Sequence, residues 1–471
     1  MNLRNQILAN ITQQNNKCIL VDKFGSLSGS DLENELMDFE QSNAISSIIG
    51  NKILIHPKQN DRYLIFLIMI LLEVDNELFL AEPRSTHREI EIIKSAYPIE
   101  SIITIDENGT LEIQRLKANT SDVERNVSKL YFFSSGTTGI PKLFAYTENT
   151  FIQSVLTWNN FLGINAQDVT LCPLTITHYH GCLVSFGALL AGGTLILSSS
   201  DTLNIVELEV LLLTHLPTIM TGVPYLYQKI YENIATGFQG FKNMRYAICG
   251  SAPLMIGLSI DFYEKYRIYL NQGYGLSEIG GVSLDKHPEL GLGTVGTIVP
   301  EIDYRIINEV GEDTDMGELI LKSEYMTTEY YLQPQLSSER YINGWLYTGD
   351  IVQLDKYKRL IIKGRKSTFI NIQGYKVFPI EIENCIFSFG NISSVLVKTE
   401  EINDKTTIIA YLETNKKIDI IQLKQYCLQN LANYKVPGEF YIVNTLEKTS
   451  IGKINIHLNT TIIHQNEKND H

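Results

Sequence analysis

The chain has 471 residues, a length that suits about three domains, each able to bury a sound core. Hydrophobic residues make up 44% and charged residues 20%, ordinary globular values that exclude long disorder and the collagen-like and mucin-like classes. Lys plus Arg total 39 against 53 Asp plus Glu, a net charge of -14. No global field therefore draws nucleic acid or an anionic membrane, and an anionic ligand has to be held by local groups.

In chain order, the amino-terminal MNLRNQILAN lacks the apolar stretch of a signal peptide. The most apolar run, Tyr63 to Leu72, stops at Glu73, is too short to cross a bilayer and reads as a buried helix, so no membrane insertion is expected. A β-like Leu130 to Phe133 leads into the polar loop discussed below. From Thr194 the pattern alternates: a strand TLILSSS, a helix through LNIVELEVLLLTHL, a strand TIMTGV, a helix after Pro224, a strand MRYAICG and a helix after Pro253. Such alternation implies a parallel sheet covered on both faces. Past Tyr274, short apolar runs broken by turn signals suggest a small antiparallel sheet or barrel ending at Lys363. From Gly364 the pattern predicts a helix near Pro379, a hairpin SSVLVKTEEINDKTTIIAYLET, a helix near Ile418 to Leu431 and a strand Glu439 to Val443. The tail HQNEKNDH should fray. The fold class expected is α/β: a large N-terminal domain (1–363) of doubly covered parallel sheets with a small β-barrel-like subdomain, then a small α+β C-terminal domain (364–471). The six cysteines, Cys18, Cys172, Cys182, Cys249, Cys385 and Cys427, show no CxxC pair and no metal-ligand spacing beside histidine. They read as reduced thiols in a cytoplasmic protein.

Ser134, Ser135, Gly136, Thr137, Thr138 and Gly139 leave the end of the predicted strand as a loop rich in N–H and hydroxyl donors. Such a nest suits phosphate oxygens, because glycines let the backbone approach and hydroxyls add donors without bulk. The spacing is not that of the G-x-x-x-x-G-K-[ST] loop, and Pro141 before Lys142 biases Ile140 away from helical geometry, so the loop should stay mobile rather than start a helix. Taken alone, such a cluster is usually a surface turn.

The segment Ser134 to Lys142 resembles the signature loop of the adenylate-forming superfamily, which includes acyl-CoA and aryl-CoA synthetases, peptide-synthetase adenylation domains and beetle luciferase. Collinear matches follow in the family's order: "HYHG" (His178 to Gly181), "GSAP" (Gly250 to Pro253), "NQGYGLSE" (Asn271 to Glu278) and "YTGD" (Tyr347 to Asp350). "GRKSTFINIQGYKVFPIEIE" (Gly364 to Glu383), "LANYKVPGEF" (Leu431 to Phe440) and "LEKTSIGKI" (Leu446 to Ile454) complete the series. The first 130 residues carry no comparable motif and look short for the family.

The resemblance implies a reaction in which a carboxylate and ATP give acyl-AMP and pyrophosphate, after which the acyl group passes to a thiol. Lys453 matches the family's C-terminal catalytic lysine, and Gly452 before it lets the loop come close. Ser134, Ser135, Gly136, Thr137, Thr138, Gly139 and Lys142 would bind the β- and γ-phosphates, Ser277 the α-phosphate, and Glu278 a Mg²⁺ ion. Tyr274 with Gly275 would stack on adenine, framed by Gly250, Ser251, Ala252 and Pro253. Asp350 would accept hydrogen bonds from both ribose hydroxyls, with Arg365 near the ribose or phosphate. Ser367 stands where many members have an Asp or Lys hinge. The resemblance makes the small domain mobile: it swings to withdraw Lys453 and to bring Gly374 to line a thiol channel with His178. Leu143, Glu447 and Ile456 replace residues common in the family.

His178, Val223, Pro224, Gly250, Gly273 and Ile279 would form the acyl pocket, with His178 orienting the carboxylate and His180 structural. Tyr179 stands where amino-acid-activating members place an aspartate, which disfavours amino acids, since burying an ammonium without a counter-charge is costly. The function expected is activation of a fatty or aryl carboxylic acid with ATP and Mg²⁺ and transfer to coenzyme A. The alternatives are loading of the phosphopantetheine arm of an acyl or aryl carrier protein, and a degenerate nucleotide-binding module without catalysis.

Overall fold

The computed structural model describes residues 1–14, 16–43, 45, 48, 51–116, 127–134, 141–198, 204–372, 375–402, 405–447 and 462–464. The apolar run near the amino terminus is a helix, Arg62–Leu72, started by Asp61, whose side chain accepts from the Tyr63 N–H. Every residue of it except Tyr63 is buried, as a helix apolar all round requires. It connects the parallel strands Lys52–Pro57 and Glu77–Leu80. These form the centre of a six-stranded sheet with parallel Ser101–Ile105 and Lys129–Ser134, and with antiparallel edges Leu111–Arg115 and Lys142–Thr147.

The predicted alternation after Thr194 is present: strands Thr194–Leu197, Ile219–Gly222 and Tyr246–Cys249 alternate with helices Ile205–His215, Pro224–Asn233 and Ile256–Tyr266. They belong to a nine-stranded sheet that also contains Val169–Cys172, Leu270–Leu276 and, from far upstream, Cys18–Asp22, all mutually parallel. Its edges are antiparallel: Gly25–Ser28 on one side, Gly280–Leu284 and Thr297–Ile298 on the other. The change of texture past Tyr274 is therefore not a domain change, since the strands there close the edge of the large sheet. The antiparallel unit begins later, with Asp303–Ile307, Met316–Lys322, Tyr341–Ile342, Trp345–Leu354 and Leu360–Arg365 in five strands.

Beyond these lies a smaller carboxy-terminal α+β unit with its own apolar core. Helices Pro379–Ser388 and Ile420–Asn430 pack on the strands Ser394–Ile402, Lys405–Glu413 and Glu439–Val443, and Ile462–His464 completes the sheet. It touches the large domain through Asn384, whose Oδ1 accepts from the Ile256 N–H at 3.2 Å, and through Ser393, whose carbonyl accepts from Gln228 Nε2 at 2.8 Å.

Glu383 on the first of these helices accepts from the Val397 N–H at 2.9 Å, and burial pushes its carboxyl up from 4.5 to about 7. A carboxyl raised on folding favours the folded state while it holds its proton. That contribution is complete below about pH 4.5 and is lost as pH rises through about 7. Glu383→Gln keeps an acceptor and removes the charge. At pH 8 the variant is expected to melt a few degrees above the wild type, for a gain of roughly 1 kcal/mol, whereas at pH 5 the two should nearly coincide. An offset in melting temperature that does not change between pH 5 and pH 8 rejects this account.

Candidate active site

The carboxyl end of the strand Leu270–Leu276 carries the residues that assemble the site. Tyr274 donates its hydroxyl to Asp350 Oδ2 at 2.7 Å, across from the strand Trp345–Leu354. Burial, with the Asp350 charge beside it, pushes the Tyr274 phenol well up, so it stays a donor. Asp350 is buried; its Oδ1 lies 3.1 Å from Arg365 Nε, and its own N–H donates to Thr348 Oγ1 at 3.0 Å. Its two oxygens thus have distinct partners, and a carboxylate has lone pairs left for two further donors. Only glycine fits at Gly275, where a Cβ would stand 2.6 Å from the Gly280 carbonyl oxygen.

Farther along, Glu278 Oε1 accepts from the hydroxyl of Tyr330 at 2.5 Å, and the Glu278 carbonyl accepts from the Thr327 N–H at 2.8 Å. The carbonyl of Ser277 is held by the buried Tyr146 hydroxyl at 2.9 Å. Tyr330 is itself buried, and its phenol is pushed up by burial and then by the Glu278 charge. The Lys142 ammonium stands 5.7 Å from the centre of the Tyr330 ring, within cation–π range. Lys142 also pairs across the hairpin with Ser134, so the backbone at the two ends of the serine- and threonine-rich loop is held together. The substituted Leu143 is fully buried in an aromatic cluster with Phe79 and Tyr131, which gives its side chain a packing role.

The turn after the strand Tyr246–Cys249 brings Gly250 against His180 and Gly273: a Cβ at Gly250 would lie 3.3 Å from the His180 ring and 3.7 Å from the Gly273 carbonyl. Ser251 has a positive φ of 65°, uncommon for a residue with a side chain, and its Oγ lies 2.9 Å from His180 Nδ1. The other ring nitrogen lies 2.8 Å from Thr221 Oγ1. Burial, then the neighbouring His178, lowers the His180 pKa to about 4. His180 is therefore a neutral prop beneath the turn Gly250 to Pro253. Ala252 is half-buried, and Ser251 and Pro253 are exposed on the outer side.

His178 opens the helix Tyr179–Leu190. Its Nε2 is buried, 3.2 Å from Glu82 Oε1 but not aligned as a hydrogen bond. Tyr179 points into the core, where its hydroxyl meets Ser154 Oγ at 2.6 Å and its ring packs on Phe132 and Tyr146. Val223 is buried in a second apolar cluster next to the half-buried Pro224. Ile279 is fully buried in the main core. Ser367 is exposed in the turn that follows the strand Leu360–Arg365. Residues 135–140, Gly374, Lys453 and Ile456 lie outside the described residues.

Glu82, Tyr330, Tyr146 and Thr221 were not singled out by the sequence. Each acts on a motif residue from a distant segment: Tyr330 is 52 positions from Glu278 and Tyr146 is 131 from Ser277.

The family profile described as AMP-binding enzyme matches residues 67–331. Among curated proteins, the chain is 28% identical over 334 residues to the long-chain-fatty-acid–CoA ligase FadD13 of Mycobacterium tuberculosis, covering 68% of this chain and 65% of that protein. It thus spans slightly less than two-thirds of that relative's length. It is 25% identical over 412 residues to a 2-succinylbenzoate–CoA ligase of Listeria innocua, covering 84% of this chain and 86% of the relative. Among solved structures, ATP-bound MatB from Rhodopseudomonas palustris superposes with a TM-score of 0.82 at 19% identity, over 96% of this chain and 97% of that one. That likeness establishes the α/β fold with its smaller carboxy-terminal domain.

Proposed function

Because the chain belongs to the AMP-binding enzymes, the adenylate-forming superfamily, we propose that it activates a non-amino-acid carboxylic acid, fatty or aryl, as acyl-AMP and passes the acyl group to the thiol of coenzyme A. The observation that carries this reading is the pairing of two stations on one strand and its continuation. Tyr274 is bonded to Asp350, and Glu278 is steadied by Tyr330 beside Lys142. The first station suits an adenosine and the second suits its phosphates.

In this reading, Tyr274 and the Gly250 to Pro253 turn enclose the adenine, and Asp350 accepts from the ribose hydroxyls while Arg365 holds its other edge. Ser277, Lys142 and the loop from Ser134 through Ser135, Gly136, Thr137, Thr138 and Gly139 bind phosphate oxygens. The acid carboxylate takes the buried, unaligned Nε2 of His178 as its donor, which accounts for that nitrogen's lack of a hydrogen bond in the protein. The pocket beside it is formed by Val223, Pro224, Gly250 and Gly273. Tyr179 faces the core, so it offers no counter-charge to a substrate ammonium, and the Glu82 carboxylate stands against His178.

Glu278 fits a Mg²⁺ ion, because it is a hard oxygen ligand with one oxygen already steadied. Among the described residues no group of three or more His, Cys, Asp or Glu could hold a metal. Mg²⁺ is usually bound through one or two carboxylates, substrate phosphates and water, and Glu278 would supply such a carboxylate. When bound, the ion offsets phosphate charge. Tyr330 then sets the orientation of the carboxylate, and Tyr330→Phe is expected to raise the KM for Mg·ATP about ten- to a hundredfold, the value of one hydrogen bond to a charged group, with a smaller change in kcat. The same variant should bind Mn²⁺·ATP correspondingly more weakly by calorimetry. Unchanged affinity for the metal complex rejects the positioning role.

The carboxy-terminal domain, 364–471, is assigned as the mobile element, turning at Ser367 and delivering first Lys453 and then the Gly374 segment. A cytoplasmic location accords with the free cysteines. Among the described residues no helix is long and apolar enough to cross a membrane.

Carboxylate-dependent exchange of pyrophosphate into ATP, surveyed over aliphatic and aromatic acids, tests the first half-reaction. Silence across the panel with folded protein defeats the enzyme reading and leaves a nucleotide-binding module. Product mass spectrometry with coenzyme A against a phosphopantetheinylated carrier protein identifies the acceptor thiol.

A further inference from the structure

Thr348, Gly349 and Asp350, on the strand Trp345–Leu354, have each of their linking peptide groups held. Arg340 Nη2 donates to the Thr348 carbonyl at 2.9 Å, and the Gly349 N–H donates to Glu318 Oε1 at 3.1 Å. These two groups belong to one peptide bond, so its oxygen faces a cation and its N–H faces an anion. In the next peptide, the Gly349 carbonyl accepts from the Lys366 N–H at 2.7 Å, and the Asp350 N–H donates to Thr348 Oγ1 at 3.0 Å.

The residues that grip the first peptide are themselves anchored. Glu318 is buried on the strand Met316–Lys322, and its second oxygen accepts from Lys366 Nζ at 2.9 Å. Beside it, the Leu319 carbonyl accepts from Thr348 Oγ1 at 2.7 Å. Arg340 ends the helix Pro334–Arg340, and Ser337 Oγ of that helix accepts from the Tyr330 N–H at 2.8 Å. The element that supplies the cation is therefore tied to the tyrosine that holds Glu278.

The need for such a grip follows from Gly349. Its φ is 71°, and glycine adopts positive and negative φ about equally readily. The peptide before it can therefore turn over, exchanging the places of its oxygen and its N–H. With Arg340 and Glu318 in place, that exchange would set the oxygen against a carboxylate and the N–H against a guanidinium. The two charges thus select one orientation, through hydrogen bonds of the stronger, charge-assisted kind. A larger residue could not replace the glycine to the same end, because a Cβ at 349 would stand 3.1 Å from Arg340 Nη1.

We propose that Arg340 and Glu318 are positioning residues for the nucleotide: by clamping the Thr348–Gly349 peptide in one orientation, they aim the Asp350 carboxylate at the ribose. The proposal rests on the reading of Asp350 as the acceptor of the ribose hydroxyls. Both residues act through the backbone of the turn rather than on the nucleotide. Tyr274 and Arg365 orient the two carboxylate oxygens, while the clamp fixes the backbone from which the side chain departs.

The test is calorimetric binding of ATP and of 2′-deoxy-ATP to the full chain with Mg²⁺ present, which needs no knowledge of the acid. Wild type should bind ATP about ten- to a hundredfold more tightly, the value of one hydrogen bond to a charged group. Glu318→Gln is nearly isosteric, but an amide can accept from an N–H or donate to an oxygen, so it no longer chooses between the two orientations. Glu318→Gln and Arg340→Met should each reduce the preference for ATP by about threefold or more. The double variant should lose little beyond the larger single loss, because both residues act on one peptide. Arg340→Lys, still a donor only, should retain most of the preference. Single variants that keep the full wild-type preference, whatever their melting temperatures, or losses that multiply in the double variant, overturn the proposal. A wild type indifferent to the 2′-hydroxyl overturns the ribose reading itself, and the proposal with it. Should Arg340→Met fail to fold, Glu318→Gln alone decides the matter.

Discussion

Lys453→Ala is expected to slow acyl-adenylate formation by about 10²- to 10³-fold, the usual loss when one preorganised charge is removed from a site where charge develops. The reason lies in the proposed reaction. A carboxylate must approach a polyphosphate, and the described part of the site is itself far from strongly positive: Lys142 and Arg365 stand against Glu278 and Asp350, with Glu82 close to His178. The proposed reaction calls for a further cation where the two anions meet, and Lys453 in "LEKTSIGKI" is the residue proposed to supply it. The second half-reaction needs no such charge, since pyrophosphate has already left. Transfer to coenzyme A from supplied acyl-AMP should therefore survive within a few-fold, while pyrophosphate exchange collapses. Equal loss of both half-reactions would reject the assigned role and point to general damage to the carboxy-terminal domain.

The motif segments were legible because local constraints mark them. Glycine at 275, for instance, is dictated by one backbone contact within the same hairpin. Much of the upstream fold was not legible. The strands Cys18–Asp22, Lys52–Pro57 and Ser101–Ile105 are buried with little or no alternation, so period-two reading finds no exposed face to report them. Their placement is also non-local: Cys18–Asp22 pairs with Thr194–Leu197, the length of a domain away in sequence. The same non-locality hid Tyr330, whose neighbours in sequence say nothing of Glu278. It also misplaced the start of the antiparallel unit, because an antiparallel edge strand such as Gly280–Leu284 has the texture of a small sheet while belonging to a large one. Ile279, within a functional motif, has its side chain fully buried in the main core.

Asp350→Ala should lower kcat/KM for ATP by about 10²- to 10⁴-fold, because hydrogen bonds to a charged partner contribute about 1.5–3 kcal/mol each and two ribose hydroxyls lose theirs together. The loss has a second source within the protein. Tyr274 would keep a largely enclosed hydroxyl without its 2.7 Å acceptor, and Arg365 would lose the carboxylate that holds it 3.1 Å away. A drop in ATP use alone could then reflect a disturbed Tyr274 rather than a lost contact with ribose. The two causes separate in a double-mutant cycle with the nucleotide as the second site. Wild type should prefer ATP over 2′-deoxy-ATP, and Asp350→Ala should be nearly indifferent, since the carboxylate that reads the 2′-hydroxyl is gone. Tyr274→Phe, which frees Asp350 Oδ2 from its protein donor, should keep the preference for ribose. If Asp350→Ala discriminates the two nucleotides as strongly as the wild type, Asp350 is a structural partner of Tyr274 and Arg365, and the ribose must be read elsewhere in the cleft.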